Sequence, residues 1–437
     1  MQHSLSIKHT QHKGGFTNKS LLISVITMCV CAFVIYTCMY GFRKPYTVGI
    51  YNNLFFFGIS YKVCLVITQV VGYMCSKFYG IKFISKMLPK KRAIYIIICI
   101  GIAWLSLLLF AIVPAPYNIL CMFLNGLPLG LVFGLVFGFL EGRKTTELLG
   151  AFLVTSFIFG SGIAKSVGKY LLVKLDVAES WMPFVAGAFF ILPLIVCVWL
   201  LNKVPPPNAS DVLLRTKRSP MTAEERKLFI KNFGKALLPI ILAYTIFTIV
   251  RDFCEDFSNE LWIETGYQND TGIFVKMSTV ISLIALVVVA SFFILKNNYK
   301  AFIRTHYLVV FGVLLSVSST FLFNMLKLSP VVWMLLATTG LYLAYLPFNC
   351  LYFERMIATY KIKGNVGFVM YIADAFGYLG TIAVLLIKEF LTIKYNWVNF
   401  FSMLFYSAGV VGIVVMGLSI FLHKKMYKKL CNNNQPL

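Results

Sequence analysis

The sequence predicts an all-α integral membrane protein of twelve helices, arranged as two six-helix halves with both termini in the cytoplasm. Three observations predict it. Of its 437 residues, 59% are hydrophobic and only 13% are charged, a balance that no soluble domain of this length shows. The apolar residues gather into twelve runs, each close to the roughly 20 residues that a spanning helix needs. The loops between the runs alternate between basic and uncharged or acidic, as they must if each run crosses the bilayer once.

The runs of the first half start near Leu21, Tyr61, Ala93, Tyr117, Leu148 and Trp181, and those of the second near Ala236, Thr271, Thr305, Pro330, Gly364 and Trp397. The head before the first run is basic (Lys8, Lys13, Lys19), and the run itself is too long for the apolar core of a cleavable signal. Basic loops recur on the same side at Lys82–Arg92, Lys203–Lys235, Lys296–Arg304, Lys361–Lys363 and Lys424–Lys429. The other side carries Tyr51–Ser60, Pro114–Asn118 and an acidic loop with Glu260, Glu264 and Asp270. The positive-inside rule places the basic side in the cytoplasm. The expected units are a head at 1–20, a six-helix half at 21–201, a connector at 202–235, a second half at 236–422 and a tail at 423–437.

The connector opens with Pro205, Pro206 and Pro207, a stiff extended start. Thr222 and Glu225 then fit a capping box, and Leu228, Phe229 and Phe233 make one apolar face beside Arg226, Lys227 and Lys231. This predicts a helix lying on the inner leaflet. In the fourth span Gly126, Gly130, Gly134 and Gly138 recur every fourth residue, and Gly160, Ala164 and Gly168 do so in the fifth; small residues so spaced let helix backbones approach.

The formal charge of +24 does not mark a nucleic-acid binder, because the basic residues sit in short loops where they set topology. The eleven cysteines lie mostly within spans and none forms a CxxC pair, so neither a metal site nor a disulfide framework is expected. No nucleophile–base constellation, phosphate loop or metal-ligand spacing is present, so neither an enzyme nor a cofactor is expected; His306 stands alone near the start of a span and reads as interfacial.

The informative residues are charges in the wrong solvent. Arg43, Lys77, Lys165 and Arg251 fall well inside spans, with Lys276 shallower. Each would cost about 2.5–3.5 kcal/mol if it faced lipid, so they are expected to face a wet cavity or partners. Acidic residues within spans are Asp252, Glu255 and Asp256 in the seventh and Asp374 in the eleventh, so the first half offers no obvious anion of its own for Arg43, Lys77 and Lys165. Uncompensated positive charge in a shielded cavity attracts an anion from solution. Arg43 and Arg251 occupy the first helix of each half, and two guanidiniums facing across a cavity suit an oxyanion, with phosphate the commonest and carboxylate and sulfate also fitting.

Structural alternatives stand beside these readings. Arg43 could snorkel to the interface, although apolar sequence from Tyr46 to Tyr51 lengthens the helix past it, kinked at Pro45. Lys44 points about 100° away and reads as structural or interfacial. Lys77 could snorkel from a helix end, and Arg251 could form a structural pair with Asp252 or Glu255. Lys165 is open between binding and packing, and Lys276 reads as structural. Asp374 is the best proton-relay candidate, the alternative being a pair with Lys276 or Arg355.

Six spans, a cytoplasmic connector and six more spans is the plan of the major facilitator superfamily, whose halves pack around an axis along the membrane normal with the substrate site between them. Within it, YGFRKPYTVG followed by VVGYMCSKFYG resembles the organophosphate:phosphate antiporters, which include the glycerol-3-phosphate and hexose-phosphate transporters. That family carries arginine then lysine in its first span and Tyr-x-x-Ser-Lys-Phe in its second, here Tyr73, Ser76, Lys77 and Phe78. It also has an arginine before an acidic-aromatic stretch in its seventh span, matched by Arg251 before DFCEDFSNELW, and FGYLG at Phe376–Gly380 resembles its eleventh. The resemblance implies that Arg43 and Arg251 grip phosphate with Lys77 assisting. The chain departs from the family in three places: its fifth span has no histidine, where Lys165 stands a turn further on; Ser85–Lys86 replaces Asp-Arg after the second span; and LEGRKTTE closes the fourth, with Glu141 and Arg143 read as a cytoplasmic gate or charge network.

The expected function is therefore secondary transport of a small organic anion, phosphorylated, by rocker-switch exchange. Substrate contacts are assigned to Arg43, Lys77, Arg251, Lys165, Tyr40 and Tyr73, and coupling or gating to Asp374, Glu255, Asp256, Glu141 and Arg143. Proton-coupled transport of another solute, with Asp374 or Glu255 carrying the proton, and a non-transporting sensor on the same fold are the alternatives. The expected partners are the anionic solute and membrane lipid, for a monomer in a cell membrane, by its lack of a targeting segment a bacterial inner membrane.

Overall fold

The computed structural model describes residues 18–52, 54–85, 87–140, 143, 145–205, 223–360, 366–390 and 396–433. Among them the first half comprises α1 (Asn18–Gly41), α2 (Tyr61–Ser85), α3 (Arg92–Ile112), α4 (Ile119–Leu140), α5 (Thr146–Lys174) and α6 (Met182–Asn202). The second comprises α7 (Ala223–Asp256), α8 (Ile273–Phe292), α9 (Asn298–Asn324), α10 (Pro330–Tyr360), α11 (Val366–Phe390) and α12 (Trp397–Asn433). A short helix, Ser258–Glu264, follows α7, and a hairpin of β1 (Phe55–Phe56) and β2 (Ile59–Ser60) precedes α2. Eleven of the described helices are long and apolar enough to cross a membrane, and α11, with 25 residues, fills the remaining position.

The packing shows the repeat. In the first half α1 lies against α5 and α6, α2 against α4, and α3 against α4 and α6. In the second α7 lies against α11 and α12, α8 against α10, and α9 against α10 and α12, the same pairs six helices on. Two seams join the halves, α2 with α11 and α5 with α8, and the same shift by six exchanges them. The chain is thus two copies of one six-helix unit around a pseudo-twofold axis.

Helix ends depart from the hydropathy runs where polar residues take part in the helix. α9 begins at Asn298, not Thr305, because the Asn297 side chain accepts the Lys300 N–H at 2.9 Å and caps it. The connector's amphipathic stretch is not a separate surface helix: it is the start of α7, a single helix of 34 residues. Its aromatic face is covered by protein and not by lipid, since Phe229 and Phe233 are buried and Phe233 meets Tyr360 with ring centroids 5.8 Å apart. Thr222 of the expected capping box, Lys86 and Glu141 lie outside the described residues.

The four-residue glycine spacing of α4 serves close packing, as its spacing implies. A Cβ on Gly126 would fall on the Gln69 carbonyl oxygen of α2, and one on Gly130 would lie 2.7 Å from the Ser76 Cβ. In the second half the seam of α9 and α10, the counterpart of α3 with α4, brings Gly312 and Gly340 backbone to backbone. Gly126→Val is expected to cost at least about 1–3 kcal/mol through overpacking. Size-exclusion profiles of the detergent-extracted variant should show a loss of monodisperse protein, and a wild-type profile would refute the tight α2–α4 seam.

Candidate functional site

α1 stops inside the bundle. Its last residue is Gly41, Phe42–Lys44 turn, and Pro45–Val48 form a 3-10 turn, so the helix does not continue past Arg43 as its apolar flank implied. Such a break strands carbonyls in a medium that cannot hydrate them, and each must find a donor. Asn125 of α4 donates to the Phe42 carbonyl at 3.0 Å, and Gln69 of α2 donates to the Arg43 carbonyl at 3.1 Å and to the Asn125 amide oxygen at 2.8 Å. Lys62 donates to the Thr47 carbonyl, and Asn259 donates across the halves to the Val48 carbonyl at 2.8 Å. These side chains hold the break open and aim Arg43 sideways into the space between the halves. Gln69 and Asn125 escaped the sequence reading; two amides in otherwise apolar spans were the available signal.

Arg43 is buried, at 7% exposure, so it does not snorkel. Its guanidinium lies 4.0 Å from the Tyr73 ring centroid and 5.8 Å from that of Tyr40. Among the described residues its side chain has no carboxylate within ion-pair distance, and its Nε is buried with no hydrogen-bond acceptor. Arg251 repeats the geometry in the other half. Its guanidinium lies 4.6 Å from the Tyr345 ring centroid and donates to the Tyr345 hydroxyl. Unlike Arg43 it also has a carboxylate, with Nε 3.0 Å from Asp252 Oδ1. Tyr40 and Tyr378 lie within electrostatic reach of both guanidiniums.

The repeat is written in the sequence. α1 carries Tyr36-Thr37 followed by Arg43, and α7 carries Tyr244-Thr245 followed by Arg251, each arginine two helical turns beyond its tyrosine. The Tyr36 hydroxyl meets the Tyr73 hydroxyl at 3.4 Å, and the Tyr244 hydroxyl meets that of Tyr345 at 3.1 Å. Each arginine therefore rests on a tyrosine bonded to the tyrosine that begins its own motif. The rings supply a polarisable floor for the cation without neutralising it.

The anions for the other cations come from the opposite half, which the order of the sequence hides. Lys77 of α2 lies 3.6 Å from Asp374 of α11, and Asp374 also accepts from Tyr244. Lys165 of α5 lies 3.4 Å from Glu255 of α7 and 3.2 Å from its carbonyl, and Glu255 also accepts from Ser161 and Tyr342. Lys44 is neither interfacial nor idle, since it pairs with Asp256 at the end of α7. Lys62 pairs with Glu260, and Lys169 donates to Asn259 at 2.9 Å. Asp374 does not pair with Lys276 or Arg355: Lys276 is exposed and 3.3 Å from Asp270, and Arg355 donates to Asn298 at 2.7 Å. Arg143 donates to the Pro205 carbonyl at the start of the connector. Ser60 and Glu389, Ser166 and the Val275 N–H, and Asn259 with the Val48 carbonyl add further hydrogen bonds between the halves.

His306 is a second correction. It is fully buried, its Nε2 lies within hydrogen-bond distance of Tyr352 (2.6 Å) and Ser419 (3.1 Å), and its ring lies 5.7 Å from that of His423, so it is neither interfacial nor alone. Among the described residues no group of three or more His, Cys, Asp or Glu side chains is placed to hold a metal.

Solved structures share this architecture. The human organic anion transporter MFSD10 (TETRAN) superposes with a TM-score of 0.56 at 13% identity, covering 91% of this chain and 99% of that one. A D-xylose-proton symporter gives 0.61 at 14% identity, covering 91% and 97%. A peptide transporter in complex with alafosfalin gives 0.61 at 15% identity, covering 92% and 95%. These likenesses establish the twelve-helix major facilitator fold for a multi-pass membrane protein. No curated protein matches the sequence. A family model does match, over residues 45–426, from the 3-10 turn after Arg43 to within the last two turns of α12, and the chain belongs to that family, the family of unknown function DUF5690.

Proposed function

We propose that this protein is a secondary transporter that exchanges a small organic anion, phosphorylated, by rocking its two halves about the central site. One observation carries the reading: a buried guanidinium, Arg43, that no carboxylate neutralises among the described residues. An isolated ion so placed is strongly unfavourable unless a counter-ion or water reaches it. Its forked donors, Arg251 at the mirror position and the tyrosine hydroxyls between them favour a tetrahedral or planar oxyanion. The motifs shared with organophosphate:phosphate antiporters favour phosphate among these.

An anion that neutralises Arg43 lowers the cost of drawing the halves together, and it shifts the equilibrium only by its differential affinity for the two states. Reconstituted vesicles loaded with phosphate test this. Uptake of labelled glycerol 3-phosphate or glucose 6-phosphate should depend on internal phosphate. Absence of flux for phosphate esters, sugar acids and dicarboxylates, alongside ligand-induced thermal stabilisation, would instead establish a sensor.

A further inference from the structure

The charges of the central layer match one to one, with a single exception. Five cations enter it: Arg43, Lys44, Lys77, Lys165 and Arg251. Four have a carboxylate: Lys44 has Asp256, Arg251 has Asp252, Lys165 has Glu255 at 3.4 Å, and Lys77 has Asp374 at 3.6 Å. Outside this layer, Lys62 pairs with Glu260, and Lys169 donates to Asn259 at 2.9 Å. Among the described residues the empty site thus carries one net positive charge, that of Arg43. A monoanion neutralises it. A phosphate monoester carries about −1.5 to −2 charges at neutral pH, and as a dianion it overshoots by one.

We propose that the site takes up one proton on Asp374 for each dianion it binds and none for a monoanion. The inference rests on the anion reading above. Asp374 is chosen by geometry. Its ion pair is the longest of the four, and both side chains are partly open to the cavity, at 15% and 14% exposure. Tyr244 holds Oδ1 while Lys77 meets Oδ2. A proton on Oδ2 therefore displaces only the ion pair, leaves the Tyr244 bond in place, and turns the Lys77 charge to the ligand. The proton and the dianion then bring the layer to neutrality.

The other carboxylates are tied more tightly: Asp252 also accepts from Thr381 at 2.8 Å, Glu255 from Ser161 and Tyr342, and Asp256 is 3% exposed. The groups around Asp374 are Lys77 and Tyr73 from α2, Tyr244 from α7, Tyr345 from α10 with Arg251 beyond it, and Tyr378 from α11. At the end of α10 Arg355 donates to Asn298, and β2 bonds α11 at Glu389, toward the other end of that helix. Lys77 is the ionised group in direct contact with the carboxylate among the described residues.

Calorimetry of the purified protein tests the proposal, with sn-glycerol 3-phosphate as dianion and gluconate as monoanion. Buffers of different ionisation heat count protons between about pH 7.5 and 9, well above the second phosphate pKa of about 6. The phosphate ester should take up one proton and lose affinity about tenfold per pH unit, and gluconate should do neither. Infrared difference spectra should show a protonated carboxyl band on binding of the ester. In Asp374→Asn the band and the proton uptake should vanish while the ester still binds, with pH-independent affinity. In Lys77→Gln, which leaves no net charge on the empty site, gluconate binding should itself become linked to one proton. Ester binding without proton uptake, uptake without the carboxyl band, or uptake that survives in Asp374→Asn overturns the inference. Failure of wild type to bind either anion overturns it together with the anion reading.

Discussion

Arg43→Ala should lose anion binding by roughly 30-fold or more, at least about 2 kcal/mol, while the empty protein unfolds no more easily than wild type. The two halves of this expectation have one cause. The guanidinium has no carboxylate among the described residues, so its removal orphans no buried charge. What it leaves is a gap beside Tyr73 and a site without its net charge. Removing a buried cation that lacks a counter-ion can even raise stability, since the desolvation cost goes with it. Arg251→Ala should behave differently. Asp252, 6% exposed, would keep its charge beside Thr381 without the guanidinium that matches it. Breaking one side of such a pair costs about 3–5 kcal/mol, so this variant should lose stability as well as binding. Thermal unfolding without ligand, followed by calorimetry with phosphate esters, separates the two. Full exchange activity in both variants would remove the arginines from the site, and a less stable Arg43→Ala than Arg251→Ala would show that Arg43 is a structural residue.

The contrast between the arginines also marks what could be read in the sequence. The runs of apolar residues and the alternation of loop charge prescribe the twelve helices, because each follows from the thickness and polarity of the bilayer. The Tyr-Thr motif that precedes Arg43 and Arg251 was equally legible, since it is a repeat in one dimension. The end of α1 at Gly41 was not, because it depends on Gln69 and Asn125 satisfying carbonyls from other helices. Nor was the pairing of charges. Lys77 finds Asp374 and Lys165 finds Glu255 only because the halves meet along two seams, and separation along the chain carries no trace of that contact. His306 misled for the same reason: its partners Tyr352, Ser419 and His423 come from α10 and α12. Residues that act through local periodicity are visible in sequence, and those that act through a partner on the other half become visible only in the folded chain.

The pair Lys44–Asp256 carries the other large expected effect. Both side chains are nearly buried, at 5% and 3% exposure, and they join the turn after α1 to the end of α7. Opening the bundle at this end must separate them and rehydrate both. Lys44→Ala leaves Asp256 charged and buried in the closed arrangement but hydrated in the open one, so the closed state alone is penalised. A penalty of about 3 kcal/mol would shift the conformational balance by roughly 100-fold toward the state open at this end. The exchange Lys44→Asp with Asp256→Lys should restore much of the wild-type balance, because attraction between the two positions survives the swap. A cysteine placed at Val48, in a background lacking the native cysteines, reports the opening through its rate of modification by a membrane-impermeant thiol reagent. Faster modification in Lys44→Ala and recovery in the swapped pair are expected. Unchanged rates in a folded Lys44→Ala protein would show that the pair fastens one conformation no more than the other. Arg43 and Lys44 are adjacent, yet their losses should separate: without Lys44 the protein still binds the anion but rests in a different state, whereas without Arg43 it has nothing to hold the anion with.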